Sequence, residues 1–236
     1  EYLKTDEYAL SKARQEDRLR SSGYANWTII RPYITYSEQR LQLGVFEKEQ
    51  WLYRALKGRT VVFAKDIAEK QTTLTCGMDV AGALAKIAGN RKALGEVIQL
   101  AAPCGISWKE ALDIYVEILE EKTRRRPNVH WIDESARMAG DLGNVYQLKY
   151  DRLFHRSFDS AKADQICGEA IAYRDAGSGL RACLEAFLDG DRRFRDISWK
   201  TEAYMDRLTG ERTPFKEIPS FKMKAAYFLW RYMPGR

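Results

Sequence analysis

Tyr8 and Lys12 stand four residues apart in YALSK, close to the first residue of the chain. On a helix that spacing puts both side chains on one face and within reach of each other. A phenol titrates at about 10, too high for a base at neutral pH, and a neighbouring ammonium favours the phenolate. A tyrosine supported in this way can give or take the proton of a substrate hydroxyl while a nicotinamide exchanges the hydride. Tyr8 and Lys12 are therefore the candidate catalytic pair.

Spacing alone is weak evidence. The chain holds 13 tyrosines, so that a YxxxK arises by chance about once in this composition. A second pair, Tyr53 and Lys57 in YRALK, lies mid-helix beside Trp51 and Leu52. It reads as a core-edge tyrosine and a surface lysine and serves as an internal control.

The elements that must hold the first pair are legible locally. Asp6 to about Ser22 reads as a helix opened by acidic residues and closed by Gly23. WTIIRP, residues 27–32, is a short apolar run ended by proline, the pattern of a buried parallel strand. A helix across VFEKEQWLYRALKG, a strand TVVFA and a strand-like TTLTC follow. The next helix is expected to start with Asp79 as its N-cap. EVIQLAA is another strand, and Ser107 caps a long amphipathic helix with Glu110 at the capping-box position. Further helices are expected at 134–140, 159–167, 178–189 and 199–208. Strands alternating with helices make an α/β protein. A doubly wound sheet binds its nucleotide at a glycine-rich turn after its first strand. No GxGxxG or GxxGxxG occurs here, so the sheet is incomplete or is completed by something else.

Composition sets outer limits. The chain has 236 residues, a mass of 27.3 kDa, 45% hydrophobic residues and a mean hydropathy of -0.49, enough for a real core. No run approaches the roughly 18 apolar residues of a membrane span. The opening EYLKTDEYAL lacks a signal peptide's basic start and apolar stretch, so a cytoplasmic location is expected. Four scattered cysteines and two histidines, with no CxxC pair, point to free thiols and no metal site. The net charge of +6 and pI near 9.0 come with no basic stripe of interleaved aromatics, which argues against nucleic acid. An anionic small molecule suits the charge.

The context of the first pair carries a resemblance. YALSKARQEDRLRSSGYANWTIIRP resembles the active-site helix and following strand of the extended short-chain dehydrogenase/reductases, the NAD-dependent epimerase/dehydratases, whose pattern runs Y-x-x-S-K-x-x-x-E, a glycine, then an apolar strand ending in Arg-Pro. Tyr8, Ser11, Lys12, Glu16, Gly23, Arg31 and Pro32 fall in place. MDVAGALAKIAGNRKALGEVIQLAAPCGISWKEAL resembles the family's D-V-A helix, G-E-x-x-x-L strand and S-x-x-E helix. FDSAKADQICG with SGLRACLEAF resembles its D-x-x-K-A segment and closing helix. The match runs in order from about residue 6 to residue 190.

The resemblance implies the C-terminal part of a Rossmann-type doubly wound parallel sheet with a smaller, mostly helical substrate-binding region. The divisions expected are 1–105 for the Rossmann part with interleaved substrate segments, 106–195 for the substrate region and 196–236 for a basic, aromatic helical extension. By the same resemblance Tyr8 is the general acid/base, and Lys12 favours its phenolate and holds the nicotinamide ribose of NAD or NADP. Pro32, Tyr33 and Ile34 run past the nicotinamide, and Tyr36 lines the substrate side. The catalytic Ser or Thr and the phosphate loop lie upstream of Glu1. Ile34 and Tyr36-Ser37-Glu38 depart from the family's Asn and V-Y-G-P, and KQTTLTCGMDVA lacks its arginine and first aspartate. A substrate without a nucleotide is therefore allowed.

Other features have plainer readings. Arg124, Arg125 and Arg126 read as a solvated turn rather than a phosphate grip. Arg152 and Arg156, flanking LFH, are candidate substrate contacts, whereas His155 between them is left out of the site as structural. The C-terminal SFKMKAAYFLWRYMPGR is expected to pack against the missing half or a second subunit rather than lie on an anionic membrane. The expected partners are a small-molecule substrate and either a second copy or a separate N-terminal polypeptide. The function expected is an NAD(P)-dependent oxidoreductase, epimerase or dehydratase of sugar-like substrates, inactive without its N-terminal half. The alternative is a non-catalytic binding or regulatory module of the same fold.

Overall fold

The computed structural model describes residues 2–143, 145–191 and 194–233. In chain order its main elements are α1 (Tyr8–Arg20), β1 (Thr28–Pro32), β2 (Thr35–Tyr36), α2 (Lys48–Leu56), β3 (Val61–Ala64), α3 (Lys65–Ala68), β4 (Gln71–Thr72), β5 (Thr75–Cys76) and α4 (Gly77–Ile87). Next come β6 (Glu96–Leu100), β7 (Ile106–Ser107), α5 (Trp108–Thr123), β8 (Val129–Ile132), α6 (Ser135–Leu142), α7 (Val145–Gln147), α8 (Ala161–Cys167), α9 (Ala176–Asp189), α10 (Trp199–Thr209) and α11 (Phe221–Tyr232). The chain divides into two compact units that alternate along the sequence. Among the described residues no helix is long and apolar enough to cross a membrane.

The first unit takes Glu1–Thr35, Thr73–Gly105 and Ser157–Ala176. Its centre is the parallel pair β1 and β6, in register from Thr28 opposite Glu96 to Pro32 opposite Leu100. Such a pair needs cover on its faces, and one apolar cluster supplies it: Val80, Ala83 and Ile87 of α4 with Ala163 and Ile166 of α8 pack against Ile98 and Leu100. Polar closures pin the same layer. Ser160 Oγ donates to the Ala101 carbonyl at 2.6 Å, and Asn90 Nδ2 donates to the Ile166 carbonyl at 2.7 Å.

The start of α4 corrects one expectation. The helix begins at Gly77, with Cys76 rather than Asp79 in the N-cap position. Asp79 sits in the first turn, and its carboxylate accepts from the Arg174 backbone N–H at 2.7 Å and pairs with Arg174 Nε at 3.2 Å. An acid one turn inside still faces the positive helix end, and it serves here to tie down the segment after α8.

The second unit takes Tyr36–Thr72, Ile106–Arg156 and Gly177–Arg236. The four residues of β3 are all buried and pair in parallel with β8, Val61 opposite Val129 through Ala64 opposite Ile132. β4 pairs antiparallel with β7, Gln71 opposite Ser107 and Thr72 opposite Ile106. Ser107 and Glu110 close the expected capping box at the start of α5, the Glu110 backbone N–H donating to Ser107 Oγ at 3.1 Å. Trp51 of α2 stacks on Tyr115 of α5 with centroids 4.6 Å apart. Arg54, fully buried, pairs with Asp206 at 2.7 Å and Glu202 at 3.2 Å on α10 and with Glu211 at 2.7 Å. Arg59 pairs with Glu202 and Glu217. Buried charges hold only when paired, so this network fastens α10 and the segment after it to α2 and to the turn between α2 and β3.

Candidate active site

α1 is a surface helix with no buried residue. Its start is set by Glu7, whose carboxylate accepts from the Ala9 backbone N–H at 2.8 Å. Tyr8 follows at once, 73% exposed. Lys12 Nζ lies 5.7 Å from the centroid of the Tyr8 ring and donates to Gln15 Oε1 at 3.3 Å. The i, i+4 spacing thus brings phenol and ammonium together on one solvent-facing side of the helix.

One turn further on, Glu16 fastens α1 to β1. Its carboxylate accepts from Arg31 Nε at 2.8 Å, with a second contact to Arg31 Nη2, and from Arg20 Nη2 at 3.0 Å. The Arg31 hydrogen bond holds the Glu16 carboxyl below its ordinary value. Both residues belong to the motif read from the sequence, and their pairing sets the orientation of the Tyr8 helix against the strand.

At the end of β1, Pro32 is exposed, Tyr33 half-buried and Ile34 buried. The Ile34 carbonyl accepts from the Thr75 backbone N–H at 3.0 Å, and Tyr33 packs on Phe158 with centroids 4.5 Å apart. Tyr8, Lys12 and residues 32–34 therefore all belong to the first unit, joined through the Glu16–Arg31 contact.

The other candidates belong to the second unit. Tyr36 is 2% exposed, and a Cβ built on Gly179 of α9 would stand 1.8 Å from its hydroxyl, so only glycine admits the phenol. Arg152 is buried: Nε donates to the Gly44 carbonyl at 2.9 Å, Nη2 to Gln42 Oε1 at 3.4 Å, Nη1 contacts Asp151, and the guanidinium lies 5.4 Å from the Trp108 ring centroid. Arg156, more exposed, donates through Nε to Asp151 at 2.9 Å. Sequence reasoning missed Asp151, the acid between the two arginines, and Gly179. A carboxylate next to Arg152 was the available signal for the first; the second carries none.

The plainer readings find their places. The Gln71 backbone N–H donates to His155 Nδ1 at 3.1 Å, making that ring a loop brace. Arg125 Nη2 donates to the Gly58 carbonyl at 2.8 Å, and Arg126 pairs with Glu120. In the control pair, Lys57 Nζ lies 5.6 Å from the Tyr53 ring, almost as in the first pair. Tyr53 instead donates to Glu217 at 3.1 Å, and burial, with that carboxylate, pushes its phenol up, the wrong direction for a base. Among the described residues no group of three His, Cys, Asp or Glu side chains is placed to hold a metal.

No family model and no curated protein matches the chain. Solved structures do. An epimerase from Methanothermobacter thermautotrophicus is similar with a TM-score of 0.56 and 14% identity over 77% of this chain and 48% of that one. UDP-glucuronic acid 4-epimerase from Bacillus cereus, solved with UDP-glucuronic acid and NAD, is similar with a TM-score of 0.53 and 14% identity over 75% and 49%. The PbgP3 protein from Burkholderia pseudomallei is similar with a TM-score of 0.54 and 17% identity over 76% and 52%. The fold is that of the C-terminal part of Rossmann-like epimerases. The chain spans about half the length of each of these structures.

Proposed function

We propose that this chain is the substrate-side, C-terminal portion of an extended short-chain dehydrogenase/reductase, an NAD(P)-dependent epimerase, dehydratase or reductase of sugar-nucleotide-like substrates. One observation carries the reading: the Lys12 ammonium stands 5.7 Å from the Tyr8 ring on a helix tied by Glu16 to Arg31, in a fold shared with solved epimerases. The Bacillus cereus enzyme of that fold holds UDP-glucuronic acid and NAD.

The residues present fit one end of a dinucleotide. A phenol and an ammonium side by side, both open to solvent, suit a ribose diol and a substrate hydroxyl. Lys12 would hold the ribose, and Pro32, Tyr33 and Ile34 would flank the nicotinamide. No glycine-rich phosphate cradle occurs in the sequence, so the diphosphate would be held by the N-terminal half. When bound, NAD(P) supplies the hydride exchange.

The chain's own part is proton transfer and orientation. Tyr8 Oη takes the proton of the reacting hydroxyl in oxidation and returns it in reduction. Lys12 stabilises the phenolate that exists before the proton is taken and again after it is returned, an interaction that strengthens once the site is closed from water. Glu16 and Arg31 keep the helix in register. On the substrate side, Arg156 is the candidate contact with an anionic group, while Tyr36 and Arg152 act from within as positioning residues.

A second reading, a non-catalytic module of this fold, is favoured by one observation: Tyr8 is 73% exposed, whereas catalysis needs its surroundings covered. The experiment is turnover of a UDP-sugar with NAD by this chain alone and with a GxxGxxG-bearing half supplied, in one polypeptide or as a second. Activity only in the assembled form supports the enzyme. Inactivity of an assembly that folds and binds NAD supports the module.

A further inference from the structure

α11 uses one side to hold itself in place. Tyr227 is fully buried, its hydroxyl donating to Asp206 Oδ2 at 2.6 Å and accepting from the Thr213 backbone N–H at 3.0 Å. Arg207 Nη1 donates to the Trp230 carbonyl at 3.3 Å, and Arg231 Nη2 donates to the Glu211 carbonyl at 3.2 Å. Trp199, Ala203, Ile218 and Tyr227 form the small core beneath, with Trp230 packed at its edge.

The opposite side is apolar as well, and the described residues leave it open. Phe221 is 87% exposed, and Phe228, Leu229, Tyr232 and Met233 are each between 42% and 48% exposed. At 100° per residue Phe221, Phe228, Leu229 and Tyr232 fall on one outward arc, away from Tyr227. Packing inside the chain therefore explains Tyr227 and Trp230 but not this second face.

The charge around the face selects its partner. From Ile218 to Met233 the sequence has Lys222, Lys224 and Arg231 and no acidic residue. Among the described residues Lys216, Lys222 and Lys224 have no ion pair, so the charge beside this face is not offset locally. A second copy meeting this face would set like charges against each other. An apolar arc with basic residues at its margin is the pattern of a helix lying in the interface of an anionic bilayer, its aromatics at the headgroup boundary and its lysines on lipid phosphates.

We propose that α11 is a membrane-surface helix that seats the chain on anionic phospholipid through Phe221, Phe228, Leu229 and Tyr232, with Lys222 and Lys224 on the headgroups. The packing of Tyr227 on Asp206 presents it pre-formed, so binding does not pay for folding the helix. This reading is independent of Tyr8 and Lys12.

The test is co-sedimentation of the 236-residue chain with vesicles of phosphatidylcholine alone and of phosphatidylcholine mixed with phosphatidylglycerol. The chain is expected to pellet with the mixed vesicles only, and less as salt rises. Phe228→Glu with Leu229→Glu should abolish binding, and Lys222→Glu with Lys224→Glu should weaken it about tenfold or more. Phe221→Asp, at the most exposed position of the first turn, repeats the apolar test where folding is not at stake and should also weaken it. Equal binding to both vesicles, binding to neither, or binding unchanged in Phe221→Asp would overturn the proposal. So would self-association abolished by the same substitutions, which would assign the face to a second copy.

Discussion

Glu16 on α1 grips the Arg31 guanidinium on β1 through both of its carboxylate oxygens, with the Nε contact at 2.8 Å. This is the fastening that aims the Tyr8 helix. Glu16→Gln should lower the stability modestly, by less than about 1 kcal/mol at this partly exposed site. The sign with pH follows from the carboxyl being held below its ordinary value. The stabilisation is present above the unfolded pKa and lost as pH falls through the folded one. Thermal melts should therefore separate wild type from variant at neutral pH and converge in acid.

Gly179 and Tyr36 make a second coupled pair. Gly179→Ala places a methyl 1.8 Å from the phenol oxygen and should destabilise by about 1–3 kcal/mol through overpacking. Tyr36→Phe removes that oxygen, so the double variant should lose less than the sum of the two single ones, read from urea unfolding of all four proteins.

The Arg54 network gives a prediction of opposite pH sign. Burial pushes the Glu202 carboxyl up to about 6, against the pull of Arg54 and Arg59. Its contribution to stability is full below the unfolded value and is lost as pH rises through about 6. Glu202→Gln should flatten the pH dependence of the melting midpoint across that interval. Arg54→Ala strands two buried carboxylates and should cost about 3–5 kcal/mol at neutral pH.

What the sequence disclosed was local. The Ser107–Glu110 capping box, the TVVFA strand and the WTIIRP strand each depend on a few neighbouring residues, and each formed where expected. Asp79 shows the limit: its type suits an N-cap, but the helix starts at Gly77 and its carboxylate goes to Arg174, 95 residues on. Interleaved segments were expected within 1–105, but the return of Ser157–Ala176 to the first unit was hidden for the same reason. Contacts such as Asn90 with Ile166 and Ser160 with Ala101 join distant segments that carry no pairing signal in their types. For the candidate site, the motif brought Tyr8 beside Lys12, yet the control pair adopts nearly the same ring-to-ammonium distance. The difference lies in surroundings, solvent for Tyr8 and Glu217 for Tyr53, and spacing cannot express that.

The most direct test of the central claim is kcat for NAD-dependent turnover of a UDP-sugar by the chain assembled with a supplied GxxGxxG-bearing half, comparing wild type, Tyr8→Phe, Lys12→Met and Tyr53→Phe. Tyr8→Phe and Lys12→Met should each lower kcat by about a hundredfold or more, with Tyr53→Phe close to wild type. Turnover in Tyr8→Phe equal to wild type, or a larger loss in Tyr53→Phe than in Tyr8→Phe, would contradict the account.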